Sequence, residues 1–241
     1  MKTKILAICG SAVLLILISC NGSGKDCPET PVLRERIITA KEQAALTPDA
    51  VIKSLKEGNE LFVSNNVTAR DHSAMVRNAV QGQFPKAVIL SCLDSRIPVE
   101  DVFNKGIGDL FVGRVAGNFA NTDLLGSMEF GCKIMGAKVV LVLGHESCGA
   151  ITSAINNNVT LGNLPAMLAN IRPAVINSQD FSGDKTSANK DFVAYVSKNN
   201  VLNTIKVIRE KSPALKKMED EGQIKIVGAY YNMHTGRVDF L

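Results

Sequence analysis

Cys92, Asp94 and Arg96 alternate along Cys92-Leu93-Asp94-Ser95-Arg96, and His145 and Cys148 frame His145-Glu146-Ser147-Cys148. Two thiols, an imidazole and a carboxylate form a tetrahedral zinc ligand set, and an arginine beside it is an unusual addition. A catalytic zinc needs deprotonated, fixed ligands and one position left for water. Two thiolates and one imidazole give a site of about zero net charge, and a poorer Lewis acid than three imidazoles. Asp94 decides what such a site does. As a fourth ligand it closes the site. Held by Arg96 in a paired, bidentate fashion, it leaves the fourth position to water and can accept a hydrogen bond from metal-bound hydroxide.

These residues need a scaffold that brings them together. Ala87-Val88-Ile89-Leu90 precedes Cys92, and Lys138-Val139-Val140-Leu141-Val142-Leu143-Gly144 precedes His145. Uninterrupted Val/Ile/Leu runs of this kind read as parallel strands covered on both faces by helices. Open α/β sheets gather their chemistry just beyond the carboxyl ends of such strands. Upstream, Thr47-Pro48-Asp49 reads as a helix start whose apolar face continues through Ile52, Leu55 and Phe62 and frays near Asn65-Asn66. A polar linker ending at Gln83-Phe84-Pro85 then launches the first strand. A short strand is expected over residues 109–114, and helices over 122–135, from Cys148 onward, 163–177 and 191–211. Ile224 to Tyr230 and Arg237 to Leu241 read as closing strands around a Thr235-Gly236 turn. Alternating strands and helices with short loops give an α/β class with a mainly parallel central sheet flanked by helices.

The spaced motifs carry a family resemblance. Cys-x-Asp-Ser-Arg followed by Gly-His-x-x-Cys-Gly resembles the β-class carbonic anhydrases. So do the glycine-rich stretch Gly106 to Asn118, the upstream Lys56-Glu57-Gly58-Asn59-Glu60-Leu61-Phe62 and the terminal Gly228 to Gly236. The likeness covers residues 47–241. It implies a β-carbonic-anhydrase-like fold and a zinc ion (Zn2+) on Cys92, His145 and Cys148, with Asp94 gated off the metal by Arg96. It also implies the reversible hydration of carbon dioxide to bicarbonate and a proton by zinc-bound hydroxide. Gln83 and Phe111 match a plant-type subset in which the amide bonds substrate and the aromatic lines an apolar pocket. Leu93, Val115 and Phe130 depart from the usual pattern, and the absence of Trp removes a residue used by the subtype with a regulatory bicarbonate pocket. A homodimer or homotetramer is implied by resemblance only. Two rival readings share the site: a hydrolase of carbon disulfide or carbonyl sulfide, and a non-catalytic zinc protein closed by Asp94.

The N-terminus reads as a leader. Lys2 and Lys4 precede an apolar run from Ile5 to Ile18, too short to span a bilayer comfortably, ending in the lipobox-like Leu17-Ile18-Ser19-Cys20. Residues 1–19 are read as a lipoprotein signal peptide and Cys20 as the lipidated first residue, which places the protein in the cell envelope on a lipid bilayer; ordinary secretory cleavage and an uncleaved anchor are the alternatives. Residues 20–46, with Asn21-Gly22-Ser23-Gly24, are read as a flexible tether, and residues 47–241 as the catalytic domain. An exported protein meets oxidising conditions, so a Cys92–Cys148 disulfide rivals zinc; a structural disulfide, however, needs neither Asp94, Arg96 nor His145. Cys132 reads as a small buried hydrophobe, and His72 and His234 as solvated surface residues. Gly106, Gly108, Gly113 and Gly117 lack a phosphate-loop pattern and read as tight packing. Without Lys2 and Lys4 the formal charge of +4 falls to +2, and aromatic content is 5%. Neither favours nucleic acid. The Cys20→Ala variant is expected to leave the detergent phase and lose metabolic lipid labelling; unchanged labelling would place the modification elsewhere.

Overall fold

Among the described residues five strands order the chain: β1 (Ala87–Ser91), β2 (Leu110–Arg114), β3 (Val139–His145), β4 (Lys225–Tyr231) and β5 (Val238–Phe240). They form one sheet in the order β2-β1-β3-β4-β5, parallel at every junction except the last. The two apolar runs that deliver the candidate ligands are its central strands, and every residue of β1 and β3 is buried. The computed structural model describes residue 34 and residues 36–241. The expected leader, Cys20 and Cys27 lie outside the described residues.

Among the described residues ten α-helices accompany the sheet: α1 (Ala40–Ala44), α2 (Pro48–Val63), α3 (His72–Ala79), α4 (Val99–Val102), α5 (Thr122–Glu129), α6 (Gly149–Asn156), α7 (Leu164–Ala169), α8 (Arg172–Ile176), α9 (Lys190–Lys211) and α10 (Pro213–Asp220). Strand alternation sorts the apolar side chains into two cores. Val88, Leu90, Val140 and Val142 pack with Val201 and Ile208 of α9 and Leu215 of α10. Ala87, Ile89, Val139, Leu141 and Leu143 face the other way, onto Val51 and Leu55 of α2 and onto Phe103. The runs are continuously apolar because both faces of the sheet are covered. A third cluster, containing Cys92, Phe119, Cys148, Ile151 and Phe192, lies beyond the carboxyl ends of β1 and β3.

Several boundaries differ from the sequence reading. The tether expected to run to residue 46 is folded over its last part. Thr39 and Glu42 form a reciprocal capping box at the start of α1. The buried Gln43 amide donates to the carbonyls of Pro85 (2.6 Å) and Met135 (2.7 Å). The polar groups that look like linker in the sequence are here capping groups and buried donors. The polar linker before β1 contains α3, capped by the Asp71 carboxylate on the Ala74 N–H at 2.9 Å. The helix expected over 122–135 ends in a π-helical turn, Phe130–Ile134. Residues 163–177 divide into α7 and α8, and α10 follows α9 with Ser212 as its cap. The helix from Thr47 stops where expected, with Asn65 in the left-handed region at φ 54°.

Helix α2 sits close against the segment that follows α4. A Cβ at Gly58 would stand 1.9 Å from the Phe103 carbonyl oxygen, and a backbone atom cannot swing aside as a side-chain tip can. Gly58→Ala is therefore expected to destabilise the fold by about 3 kcal/mol. For a domain of this size that lowers Tm by roughly 6–12 °C, readable by circular dichroism. An unchanged Tm would mean that the close approach does not exist.

Candidate metal centre

Parallel pairing of β1 with β3 sets Ser91 opposite Leu143. Cys92 is the next residue after β1, and His145 is the last of β3. The chain then turns through Ser147, a non-glycine residue at φ 55°, and reaches Cys148, the N-cap of α6. That turn lets a His-x-x-Cys spacing point both side chains at one place. Cys92, His145 and Cys148 are all buried, and their ligand atoms lie within 4.8 Å of one another.

The three residues fit a metal ion. The two sulfurs are 3.9 Å apart; two thiolates at about 2.3 Å from a tetrahedral zinc stand roughly 3.8 Å apart. They are not bonded, and Cys92, Cys132 and Cys148 are all free thiols, so the disulfide reading is set aside. His145 Nδ1 is 2.9 Å from the Glu146 carbonyl oxygen. A carbonyl only accepts, so Nδ1 carries the proton and Nε2 offers its lone pair, fixing tautomer and ring orientation as metal sites require. That Nε2 is buried with no hydrogen-bond partner. An orphaned buried acceptor is costly unless something binds it.

The thiols give the same indication. The hydrogen bond from Cys148, helped by the Gly117 N–H, pulls the Cys92 thiol well below its ordinary value against the opposing effect of burial. Cys148 is pushed up, first by giving that hydrogen bond and then by burial, although the first-turn N–H groups of Ala150 and Ile151 oppose it. Without a cation only one of the pair readily ionises; a bound metal deprotonates both. Cys132 behaves as a packed hydrophobe, with burial alone pushing its thiol up to about 12.

Asp94 lies at the rim of this cluster and is turned toward Arg96. Arg96 donates Nε to Oδ1 (2.9 Å), Nη2 to Oδ2 (2.7 Å) and its backbone N–H to Oδ1 (3.0 Å). These bonds, led by the guanidinium, hold the Asp94 carboxyl down to about 2. Its Oδ2 remains 3.9 Å from His145 Nε2, close enough to reach an ion on the three ligands by a small rotation. Arg96 also donates to the Ser147 carbonyl at 3.3 Å, which ties the two motifs together.

The sequence profile of the carbonic anhydrase family matches residues 87–238. Carbonic anhydrase 2 of Mycobacterium tuberculosis is 34% identical over 195 residues, 79% of this chain and 91% of that protein. The carbonic anhydrase of Mycolicibacterium smegmatis is 30% identical over 197 residues, 80% of this chain and 92% of that one. The chain is a β-class carbonic anhydrase family member. Among solved structures, the β-carbonic anhydrase CafA of Aspergillus fumigatus matches with a TM-score of 0.60 at 25% identity, over 80% of this chain and 89% of that one. One of two tetrameric β-carbonic anhydrases from Sordaria macrospora matches with a TM-score of 0.62 at 21% identity, over 69% of this chain and 85% of that one.

Not every residue singled out from the sequence joins the centre. Phe111 lies in β2 opposite Val88, four residues short of Cys92, or about 13 Å along the strand. Its ring packs near Phe130 (6.4 Å between centroids) and lines a cavity of roughly 580 Å³ at the β2 edge. Gln83 is exposed before β1. His72 and His234 are exposed, as expected, although His234 Nε2 comes within 3.4 Å of Glu146 Oε1. Two further residues support the centre: Gly117, read from the sequence only as tight packing, and Asn200, which no motif singled out. The Gly117 N–H points at Cys92 Sγ (3.2 Å), and Asn200 of α9 donates to the Gly117 carbonyl at 2.7 Å. Asn200 is 83 residues from Gly117, and no spacing in the sequence links them.

The purified protein is expected to hold about one zinc per chain. The Cys92→Ala/Cys148→Ala double variant should lose it while Cys132→Ala keeps it, as measured by elemental analysis after gel filtration. Full zinc in the double variant would rule out this ligand set.

Proposed function

We propose that the protein reversibly hydrates carbon dioxide to bicarbonate and a proton, with zinc held by Cys92, His145 and Cys148. The observation that carries this reading is the coexistence of a three-ligand set with an Asp94 carboxylate taken up by Arg96. Zinc bound there supplies a Lewis acid that makes a coordinated water nucleophilic near neutral pH. Asp94 stays ionised at every working pH, since its carboxyl is held down to about 2 by the Arg96 guanidinium. It is therefore an acceptor only, able to fix the direction of a neighbouring O–H. Arg96 keeps that carboxylate from becoming a fourth ligand, and the engaged pair favours catalysis over a site closed by Asp94. Phe119, Ile151 and Phe192 give the centre an apolar floor, suited to a small apolar substrate and to excluding bulk water.

The wider assembly is also a proposal. Among the described residues β2 is an unpaired edge, and Phe130, whose ring lies near Phe111 of that strand, is 50% exposed. An apolar, unpaired edge of this kind calls for a cover, which supports pairing of two copies there into a homodimer or a homotetramer. Phe111 faces the cavity at that edge, so it and Gln83 would meet substrate through the second copy rather than within one chain. Lipid attachment at Cys20 and a place in the cell envelope rest on the leader sequence alone. Among the described residues no helix is long and apolar enough to cross a membrane.

Arg96→Ala is expected to keep its zinc and lose roughly a hundredfold or more of the hydration rate, because nothing then competes with the metal for Asp94. Arg96→Lys should recover only part, since an ammonium cannot present the planar fork. In the wild type the rate should rise with pH around neutrality, tracking deprotonation of a metal-bound water. Asp94 cannot be the group that titrates there, because it is already ionised far below that pH. Stopped-flow hydration with zinc assays on the three proteins tests this. Near-wild-type rate and full zinc in Arg96→Ala would remove Arg96 from the mechanism.

A further inference from the structure

Arg114, the last residue of β2, carries a guanidinium for which the described residues supply no carboxylate partner. Its Nη1 donates to the carbonyls of Cys92 (2.9 Å) and Asp94 (3.1 Å), and its Nη2 to the carbonyl of Ile97. The side chain is half-buried. All three acceptors belong to the single loop that carries the metal ligand Cys92, the carboxylate Asp94 and its partner Arg96. A half-buried cation whose described partners are all carbonyls is an unusual way to hold a loop, and three converging carbonyls are an unusual use of the planar fork.

The geometry of the loop shows what the clamp controls. Asp94 receives the Arg96 side chain and backbone N–H on its carboxylate, while its carbonyl receives Arg114 and, at 3.4 Å, the Ile97 N–H. Arg114 thus fixes the peptide from which the Asp94 side chain projects, and register fixes Arg114, since it stands opposite Ser91 in the β1–β2 ladder. If the peptide rolls, Asp94 Oδ2, already 3.9 Å from His145 Nε2, moves relative to both the metal site and Arg96.

We propose that Arg114 is a positioning residue for the gate: by clamping the carbonyls of Cys92, Asp94 and Ile97, it keeps the Asp94 carboxylate in the reach of Arg96 and off the metal. The inference rests on the reading of Asp94 as a gate and extends it to a residue outside both motifs. It requires that loss of Arg114 closes the site without emptying it.

The test uses the full-length protein with its zinc exchanged for cobalt(II), whose visible bands report the ligand shell, and azide as a probe of the open position. Wild type should respond to azide. Arg114→Gln should keep about one metal per chain, and need roughly tenfold more azide for half-response, since most molecules are then closed. Hydration of the zinc form should fall roughly 10–100-fold. Arg114→Gln/Asp94→Asn should recover the wild-type azide response, because no carboxylate is left to compete; a merely structural role would not be rescued this way. Arg114→Lys, which keeps the charge but not the fork, should fall between, and it carries the test if the glutamine variant does not fold. A wild-type azide response in Arg114→Gln, or no recovery in the double variant, overturns the proposal. Arg96→Ala separates the two readings. If it too responds like wild type, the gate itself is wrong; if it resists azide while Arg114→Gln does not, only the clamp is wrong.

Discussion

The parallel ladder between β1 and β3 is the constraint on which the rest depends. A metal held by two thiolates and one imidazole needs its donors within a few ångströms of one another before the ion arrives. Ser91 opposite Leu143 achieves that, because Cys92 and His145 then leave adjacent strands at nearly the same height. A one-residue slip in a strand turns every side chain to the other face. Here it would interchange the two apolar cores as well as separate the ligands. The fold and the site are therefore specified by the same register, and the fully buried apolar strands that look like simple core are what secures the chemistry.

Around that fixed pair, electrostatics decides what the site can do. Unmetallated, Cys148 favours ionisation of Cys92 by its hydrogen bond while Cys92 pushes Cys148 up, and His145 Nε2 has no partner; a bound cation would let both thiols ionise and give Nε2 a partner. On the proposed reading, Arg96 and Asp94 then set whether the cation keeps an open position. The second layer of contacts works on peptide groups. Gly117 directs its N–H at Cys92 Sγ, Asn200 orients Gly117, and Arg114 holds the carbonyls of the ligand loop. Metal sites owe ligand orientation to such outer contacts as much as to the ligands themselves.

The centre of this molecule was legible in the sequence because its signals are local. An unbroken apolar run before Cys92 and another before His145 define buried strands, and Thr47-Pro48-Asp49 marks the start of α2, capped by the Thr47 hydroxyl on the Ala50 N–H. Where polar residues do structural work at a distance, the reading failed. Gln43 and Glu42 resemble tether residues until Pro85 and Met135 are seen to accept from the buried amide. Asp71 gives little sign that it starts a helix in a polar stretch. Asn200 and Arg114 act on backbone atoms, which carry no sequence signature. The resemblance that named Gln83 and Phe111 identified residues of the family pattern, but the place of Phe111 in β2, away from the three ligands, is a fact of three-dimensional arrangement.

The central claim is that catalysis belongs to one metal ion on Cys92, His145 and Cys148. The most direct measurement strips the protein with a chelator, returns zinc in sub-stoichiometric steps, and follows the carbon dioxide hydration rate on the same sample. The account predicts a metal-free protein without activity and a rate that rises in proportion to added zinc, levelling at about one ion per chain. A stripped protein that still hydrates carbon dioxide, or a rate that does not follow zinc, would contradict it.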